Sequence, residues 1–250
     1  MRVGFVGTGV IAAAMVAGLA GRGHQIRVSA RNADVAARLA ATHAEVSVVD
    51  NVEVVAGSDV VFLCLMADVA CAVLPELPFR AGQAVISVMA DVSVSALETL
   101  CAPATDIALT IPLSPIATGG SVLPVYPASD ALTALFGASD TVIPVKNERA
   151  LNAHFAGSAL SAPLLDLMQT GAEWLGAETG DPAAAEAYVA GVFVGFLQQM
   201  TAGGVDFDTL QKALATEGGL NASVKTHMRD AGAHEALQQG LDALKPRLGL

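Results

Sequence analysis

Six residues near the N-terminus constrain this chain more than any others. Gly7-Thr8-Gly9-Val10-Ile11-Ala12 follows a short apolar run, RVGFV, and leads into an Ala-rich stretch of helical character. Strand, glycine turn and helix in that order form the G-x-G-x-x-G/A arrangement in its meaningful context. The first glycine permits a tight turn, and the second lets the backbone approach a pyrophosphate. The small third residue lets the helix pack on the strand, while the helix N-terminus offers free N–H groups and a positive dipole end. The pattern predicts a βαβ unit built around a dinucleotide.

The next 140 residues repeat that alternation. Arg2–Val6, Gln25–Ser29, Val46–Val49, Val60–Leu65 and Ala84–Val88 read as strands, with more near 106–111, 121–125 and 140–145. Several are apolar on consecutive positions, which implies burial on both faces, as in a parallel sheet covered by helices. Helical stretches fall near 10–22, 32–42, 67–74 and 93–100, with Asn32, Asp68 and Ser93 as candidate N-caps. After Val145 the character changes. Residues 148–176 keep helical spacing, interrupted only at Pro163, and Asp181-Pro182 opens another helix. Shorter helices follow near 206–215, 221–231 and 233–248. The expected architecture is α/β: an N-terminal doubly wound (Rossmann) domain over 1–147 and an all-α C-terminal domain over 148–250.

The end of the second strand selects the cofactor. An NAD site usually carries an acid there to bind the ribose hydroxyls. This chain reads Val28-Ser29-Ala30-Arg31-Asn32, with no acid before Asp34 and four arginines in that span, although its net charge is −11. Ser29 and Arg31 suit a 2′-phosphate, so NADP is expected over NAD. Reading Arg31 as a solvated turn residue leaves the missing acid unexplained. The ends of the fourth and fifth strands, Leu65-Met66 and Ser87–Asp91, should also lie beside the cofactor. Asp91 is expected either to make a polar contact there or to cap the helix that starts near Ser93.

Composition bears on surroundings and partners. Hydrophobic residues make up 53% and charged ones only 15%, where about a quarter charged is usual. Either the chain enters a membrane or it hides apolar surface against another copy of itself. Residues 3–21 resemble an export signal, but they hold the glycine fingerprint. The uncharged stretch 187–205 contains Gln198, Gln199 and four glycines, with Glu186 just before it, and reads as a buried helix rather than a spanning one. Gly191 and Gly195 lie four apart on one face of that helix, where small residues let helices of two subunits approach closely. A homodimer without membrane contact is expected. The acidic balance lacks the basic footprint of a nucleic-acid binder. Cys64, Cys71 and Cys101 suggest reduced thiols in a cytoplasm, and no metal-ligand spacing occurs.

Five segments in succession carry a family resemblance. GFVGTGVIAAAMVAGL, SDVVFLCLMADVACAVLPEL, VISVMADVSVSALETL, Gly157-Ser158-Ala159 and ATEGGLNASV resemble, in order, segments of the pyrroline-5-carboxylate reductase family. They correspond to its glycine-rich opening, its fourth and fifth strands with their helices, the start of its linking helix and its Ser-Pro-Gly-Gly-Thr-Thr loop. The resemblance implies reduction of a cyclic imine to proline by NAD(P)H, as in proline biosynthesis, with a helical dimerisation domain and a site shared between subunits. It implies cofactor contacts at Gly7, Thr8, Gly9, Val10, Ile11, Ser29, Arg31 and Asn32, with Leu65, Met66 and Ala90 flanking the nicotinamide. A substrate carboxylate would meet the amides of Gly218 and Gly219, with Asn221 at a substrate-contacting Thr position.

The departures gather on the substrate side. The family's Lys-Pro after the fourth strand is Leu65-Met66 here, and Met-Pro-Asn-Thr-Pro is Ile111-Pro112-Leu113-Ser114-Pro115. Val10 replaces an Asn, and Thr216-Glu217-Gly218-Gly219-Leu220-Asn221 replaces the loop. Glu217 disfavours an anionic substrate if its side chain points inward. Hydride transfer to an iminium needs positioning more than strong acids. Ser158, Thr216 and Asn221 are therefore the candidate catalytic groups, as hydrogen-bond partners, beside their plainer reading as caps and packing residues. Two other readings stand. A β-hydroxyacid dehydrogenase would need a Lys early in the linking helix, and Leu151–Gly180 has none. The third is a non-catalytic NADP-binding regulatory or scaffold protein.

Overall fold

The computed structural model describes residues 1–250. It divides into two compact units, residues 1–155 with 247–250, and residues 156–246.

The first unit is built on one eight-stranded sheet: β1 (Arg2–Val6), β2 (Gln25–Ser29), β3 (Val46–Val49), β4 (Val60–Leu63), β5 (Ala84–Ser87), β6 (Asp106–Thr110), β7 (Val122–Tyr126) and β8 (Thr141–Pro144). The spatial order is 3-2-1-4-5-6-7-8, with β1 to β6 parallel, β7 antiparallel to β6 and β8 parallel to β7. All four residues of β4, VVFL, are buried, as a central strand covered on both faces requires. Alternate residues serve opposite faces. Phe5, Phe62 and Ile86 join Met15 and Phe136 in one core, while Val6, Leu63 and Val85 join Val54 and Leu97 in the other. Phe5 stacks on Phe62 at 5.0 Å, and Phe62 meets Phe136 edge-on at 6.2 Å. Burying one such ring contributes about 1.5–3 kcal/mol.

Helices α1 (Val10–Leu19), α2 (Ala33–Thr42), α3 (Asn51–Ala56), α4 (Ala67–Val73), α5 (Val94–Leu100), α6 (Asp130–Phe136) and α7 (Glu148–Ser158) join and flank the strands. Two of these, α3 and α6, have no counterpart in the sequence expectations. Each is six or seven residues long and rests on one cap, Asp50 accepting from Glu53 N at 2.8 Å and Ser129 accepting from Leu132 N at 3.2 Å. Asn32 and Ser93 cap α2 and α5 as expected. Asp68 does not cap α4. Met66 occupies the cap position, and Asp68 lies in the first turn, where its charge complements the helix dipole.

The second unit is wholly helical: α8 (Ser161–Thr179), α9 (Pro182–Gly203), α10 (Phe207–Leu214), α11 (Leu220–Asp230), α12 (Ala233–Asp242) and the first residues of α13 (Lys245–Leu248). The long helical stretch expected from residue 148 is broken into α7 and α8, because Pro163 lacks an N–H and its ring opposes the carbonyl of Ala159. The first compact unit runs past the expected boundary at 147, to Phe155. Leu151 is fully buried in the core beneath the sheet and Phe155 packs against it, so the apolar face of α7 belongs to that core. The segment from Arg247 returns to the same unit, where Asn152 Nδ2 donates to the Leu248 carbonyl at 2.9 Å. No helix of the structure is long and apolar enough to cross a membrane.

Candidate functional site

The strand order reverses between β1 and β4, so the connections leaving their carboxyl ends diverge and open a crevice. Gly7 turns the chain there with φ +98°, and a Cβ at this position would collide with the Cys64 carbonyl. Two bonds fasten the turn to the end of β2. Gly7 N donates to Ser29 Oγ at 2.9 Å, and Thr8 Oγ1 donates to the Ser29 carbonyl at 3.1 Å. Ser29 and Thr8 are both buried. The Ser29 hydroxyl, expected beside a 2′-phosphate, thus holds the glycine turn in place.

Gly9 is the N-cap of α1, with no side-chain cap and no acid in the first turn. A Cβ on Gly9 would meet nothing within 4 Å. The first-turn N–H groups therefore face open space with the helix dipole behind them, an arrangement that accepts an anion. Ala12 is buried, as close packing of helix on strand requires, and Ile11 packs partly against the core.

Arg31 supplies the cation. Of the four arginines before Asp34, Arg2 pairs with Asp59, Arg22 donates to Ser139 Oγ at 2.7 Å, and Arg27 donates to the Gly57 carbonyl at 2.6 Å. Arg31 is exposed and makes no hydrogen bond or ion pair. Asn32 beside it caps α2, accepting from Val35 N at 3.4 Å. Two hollows share Gly7, Arg31 and Leu65. One, of about 550 Å³, runs along the glycine turn, Arg31–Asp34 and Cys64–Met66. The other, of about 400 Å³, is closed by Asn51 and by Asp68, Val69, Ala72 and Val73 of α4. Sequence reasoning missed Asn51 and the face of α4. The i, i+3, i+4 spacing of Val69, Ala72 and Val73 was the available signal.

The nicotinamide-side candidates lie on neighbouring strand ends. Leu65 and Met66 follow β4, and Ala90 follows β5. Asp91 does not cap α5. Ser93 caps α5, accepting from Ala96 N at 3.1 Å, whereas Asp91 accepts from Arg247 Nη2 at 2.7 Å and Nε at 3.1 Å. The Arg247 guanidinium holds the Asp91 carboxyl below its ordinary range. Burial pushes the Cys64 and Cys101 thiols up to about 12, so neither is a thiolate at neutral pH.

The remaining candidates belong to the second unit. Thr216, Gly218, Gly219 and Asn221 come together in the turn between α10 and α11. Gly219 N donates to the Thr216 carbonyl at 2.9 Å, Gly218 has φ +74°, and Asn221 Nδ2 donates to the Leu214 carbonyl at 3.4 Å. Ser158 is the last residue of α7, away in sequence from that turn. No group of three or more His, Cys, Asp or Glu side chains is placed to hold a metal ion.

Comparison with known proteins agrees with this geometry. Residues 2–91 match the family model described as NADP oxidoreductase coenzyme F420-dependent. No curated protein matches the chain in sequence. Among solved structures, 1-pyrroline-5-carboxylate reductase of Streptococcus pyogenes superposes with a TM-score of 0.82 at 18% identity, over 100% of this chain and 99% of that one. Pyrroline carboxylate reductase of Plasmodium falciparum, with NADP bound, gives 0.83 at 14% identity over 100% and 97%. A reductive aminase of Aspergillus terreus, in complex with NADPH and ethyl-5-oxohexanoate, gives 0.59 at 17% identity over 98% and 91%. Along its whole length the chain has the fold of the pyrroline-5-carboxylate reductases, and the resemblance read from its sequence is borne out.

Proposed function

We propose that this protein is an NADPH-dependent reductase of C=N bonds, a divergent relative of pyrroline-5-carboxylate reductase acting on a small cyclic imine. The observation that carries this reading is the pairing of an uncapped, open α1 N-terminus with an unpaired Arg31 at the end of β2. The cradle suits a pyrophosphate, and Arg31 stands where an NAD site would carry an acid, which favours NADP. Support comes from the Plasmodium falciparum reductase with NADP bound and from an imine reductase of Myxococcus stipitatus in complex with NADP+.

When bound, NADPH supplies a hydride to the carbon of a protonated C=N. The chain's own residues orient and enclose. The amides of Val10 and Ile11 would receive the pyrophosphate, Thr8 and Ser29 hold the glycine turn, and Asn32 fixes the start of α2, where the adenosine phosphate would lie. Leu65, Met66 and Ala90 would border the nicotinamide. In the second unit, the Gly218 amide would meet substrate, the Gly219 amide being already donated to the Thr216 carbonyl, and Ser158, Thr216 and Asn221 would donate or accept hydrogen bonds. No strong acid is called for, because the iminium already attracts hydride and positioning supplies the rate.

The helical unit supports a homodimer. Trp174 is 67% exposed and Tyr188 66%, and Leu165, Phe193 and Leu197 are exposed on the same two helices. A second copy that covers these side chains would complete a core that α8 and α9 lack. The reduced thiols fit a cytoplasmic setting.

The test is to follow NADPH absorbance with purified protein and a panel of cyclic imines and small β-hydroxy or keto acids. Turnover of an imine is expected. Turnover of the acids alone would favour a dehydrogenase, and tight NADPH binding with no turnover would favour a binding protein.

A further inference from the structure

The loop that follows β5 is anchored on both sides of its tip and tethered at the tip by one side chain. Met89 and Val92 are buried in the core beneath the sheet, and Met89 N donates to Ser87 Oγ at 3.1 Å. Between these anchors stand Ala90, half-buried, and Asp91, exposed. Neither makes a backbone hydrogen bond. The tip is held instead by the Asp91 carboxylate, which takes a two-point fork from Arg247: Nη2 donates to Oδ2 at 2.7 Å and Nε to Oδ1 at 3.1 Å.

The base of that fork is itself fastened. Leu248, next to Arg247, is buried, and its carbonyl accepts from Asn152 Nδ2 at 2.9 Å. Arg149 Nη1 donates to the Gly249 carbonyl at 3.3 Å. Both donors belong to α7, whose Leu151 is fully buried beneath the sheet. The same helix reaches the far end of the loop, where Glu148 Oε2 accepts from Val94 N at 3.4 Å. Residues 247–250 thus refer the loop tip back to the core of the first unit, to which they belong.

Exposed ion pairs add little stability, and these two side chains are 35% and 68% exposed. A forked guanidinium–carboxylate pair sets distance and angle together, so its consequence is geometric. What it places is Ala90. Arg31 ends β2, the glycine turn follows β1, and β4 and β5 come next in the sheet. A dinucleotide laid from Arg31 across the turn therefore has its nicotinamide toward the ends of β4 and β5.

We infer that Arg247 is a positioning residue for the nicotinamide end of the cofactor, acting through Asp91 on the β5–α5 loop. Resting on the reductase reading above, this gives the C-terminal residues a part in the cofactor site that no local sequence pattern assigns.

The test is calorimetric titration with NADPH and with adenosine 2′,5′-bisphosphate, which carries the adenosine end and no nicotinamide. Arg247→Ala should weaken NADPH about three- to tenfold and leave the bisphosphate unchanged. Its melting temperature should fall by no more than about 2 °C. Arg247→Lys, which keeps the charge and loses the fork, should fall between Arg247→Ala and wild type. The reversed pair, Asp91→Arg with Arg247→Asp, should regain most of the lost NADPH affinity. Unchanged NADPH affinity in Arg247→Ala, equal loss for both ligands, no recovery in the reversed pair, or failure of Arg247→Ala to fold would each overturn the inference and leave the reductase reading intact. Failure of the wild type to bind NADPH would overturn the reductase reading, and this inference with it.

Discussion

Gly7 and Gly9 stand two positions apart, and a methyl group at each would meet opposite surroundings. At Gly7 it would strike the Cys64 carbonyl on a backbone with φ +98°. Gly7→Ala should therefore cost about 1–3 kcal/mol in conformation alone, before the clash, read as a lower urea midpoint. At Gly9 nothing lies within 4 Å, and φ is −87°. Gly9→Ala should cost less than about 1 kcal/mol of stability yet weaken NADPH at least about tenfold, because the added carbon occupies the pyrophosphate's approach. Calorimetry beside thermal melting separates the two effects. Arg31→Ala should weaken NADPH about 10- to 100-fold, the range for charge-assisted hydrogen bonds, and leave NADH nearly unchanged. Equal loss for both nucleotides would remove Arg31 from the 2′-phosphate. Asp59 belongs to stability rather than to the site. Hydrogen bonds from the Arg2 side chain and backbone lower its carboxyl to about 2. A lowered folded value means that the pair stabilises fully above about pH 4. That contribution is lost as pH falls toward 2. Asp59→Asn should reduce stability at pH 7 and flatten its fall between pH 4 and 2, measured by urea midpoints.

At the scale of elements, short helices are held by side chains from distant strands and loops. The carboxyl end of α3 is satisfied from outside: Arg80 Nη1 donates to the Ala56 carbonyl at 2.6 Å, and Gln83 Nε2 donates to the Val55 carbonyl at 2.8 Å. Arg80 Nη2 also reaches the Ser58 carbonyl at 2.7 Å. Arg80→Ala should cost about 1.5–3 kcal/mol, detectable by denaturant titration without change in NADPH affinity. The strands were legible in the sequence because burial on both faces writes itself as consecutive apolar residues, as in Val60–Leu63. The glycine turn of the candidate site was legible because a glycine turn before a helix is a local pattern. Three features were not. Asn-Val-Glu-Val-Val-Ala at 51–56 has the β-branched content of a strand, and the cap at Asp50, the outside donors Arg80 and Gln83 and the burial of Val54 and Val55 hold it helical. The extent of the first core depends on Leu151 and Phe155, whose spacing looks the same whichever unit they pack into. The partner of Asp91 lies 156 residues away, beyond the reach of any local pattern.

At the scale of the whole molecule, the apolar surplus in composition is unevenly placed. The sheet unit buries its large side chains, while α8 and α9 bury little more than Ala172, Gly176 and Ala185. Sedimentation of the purified protein at micromolar concentration should show a dimer, and Leu165→Lys should shift it toward monomer with some loss of thermal stability. A wild-type monomer would overturn the proposed interface.

The pairing of Asp91 with Arg247 also bears on the order of assembly. Ribosomal synthesis delivers all eight strands, then nearly a hundred residues of helix, before Arg247 can reach the loop after β5. The sheet unit therefore waits through the birth of its neighbour to make its last contacts. Its final closure is a late event that spans a long loop, with the entropic cost such closure carries. A nascent chain stalled before residue 247 should have a formed sheet and a β5–α5 loop still free to exchange its amide hydrogens.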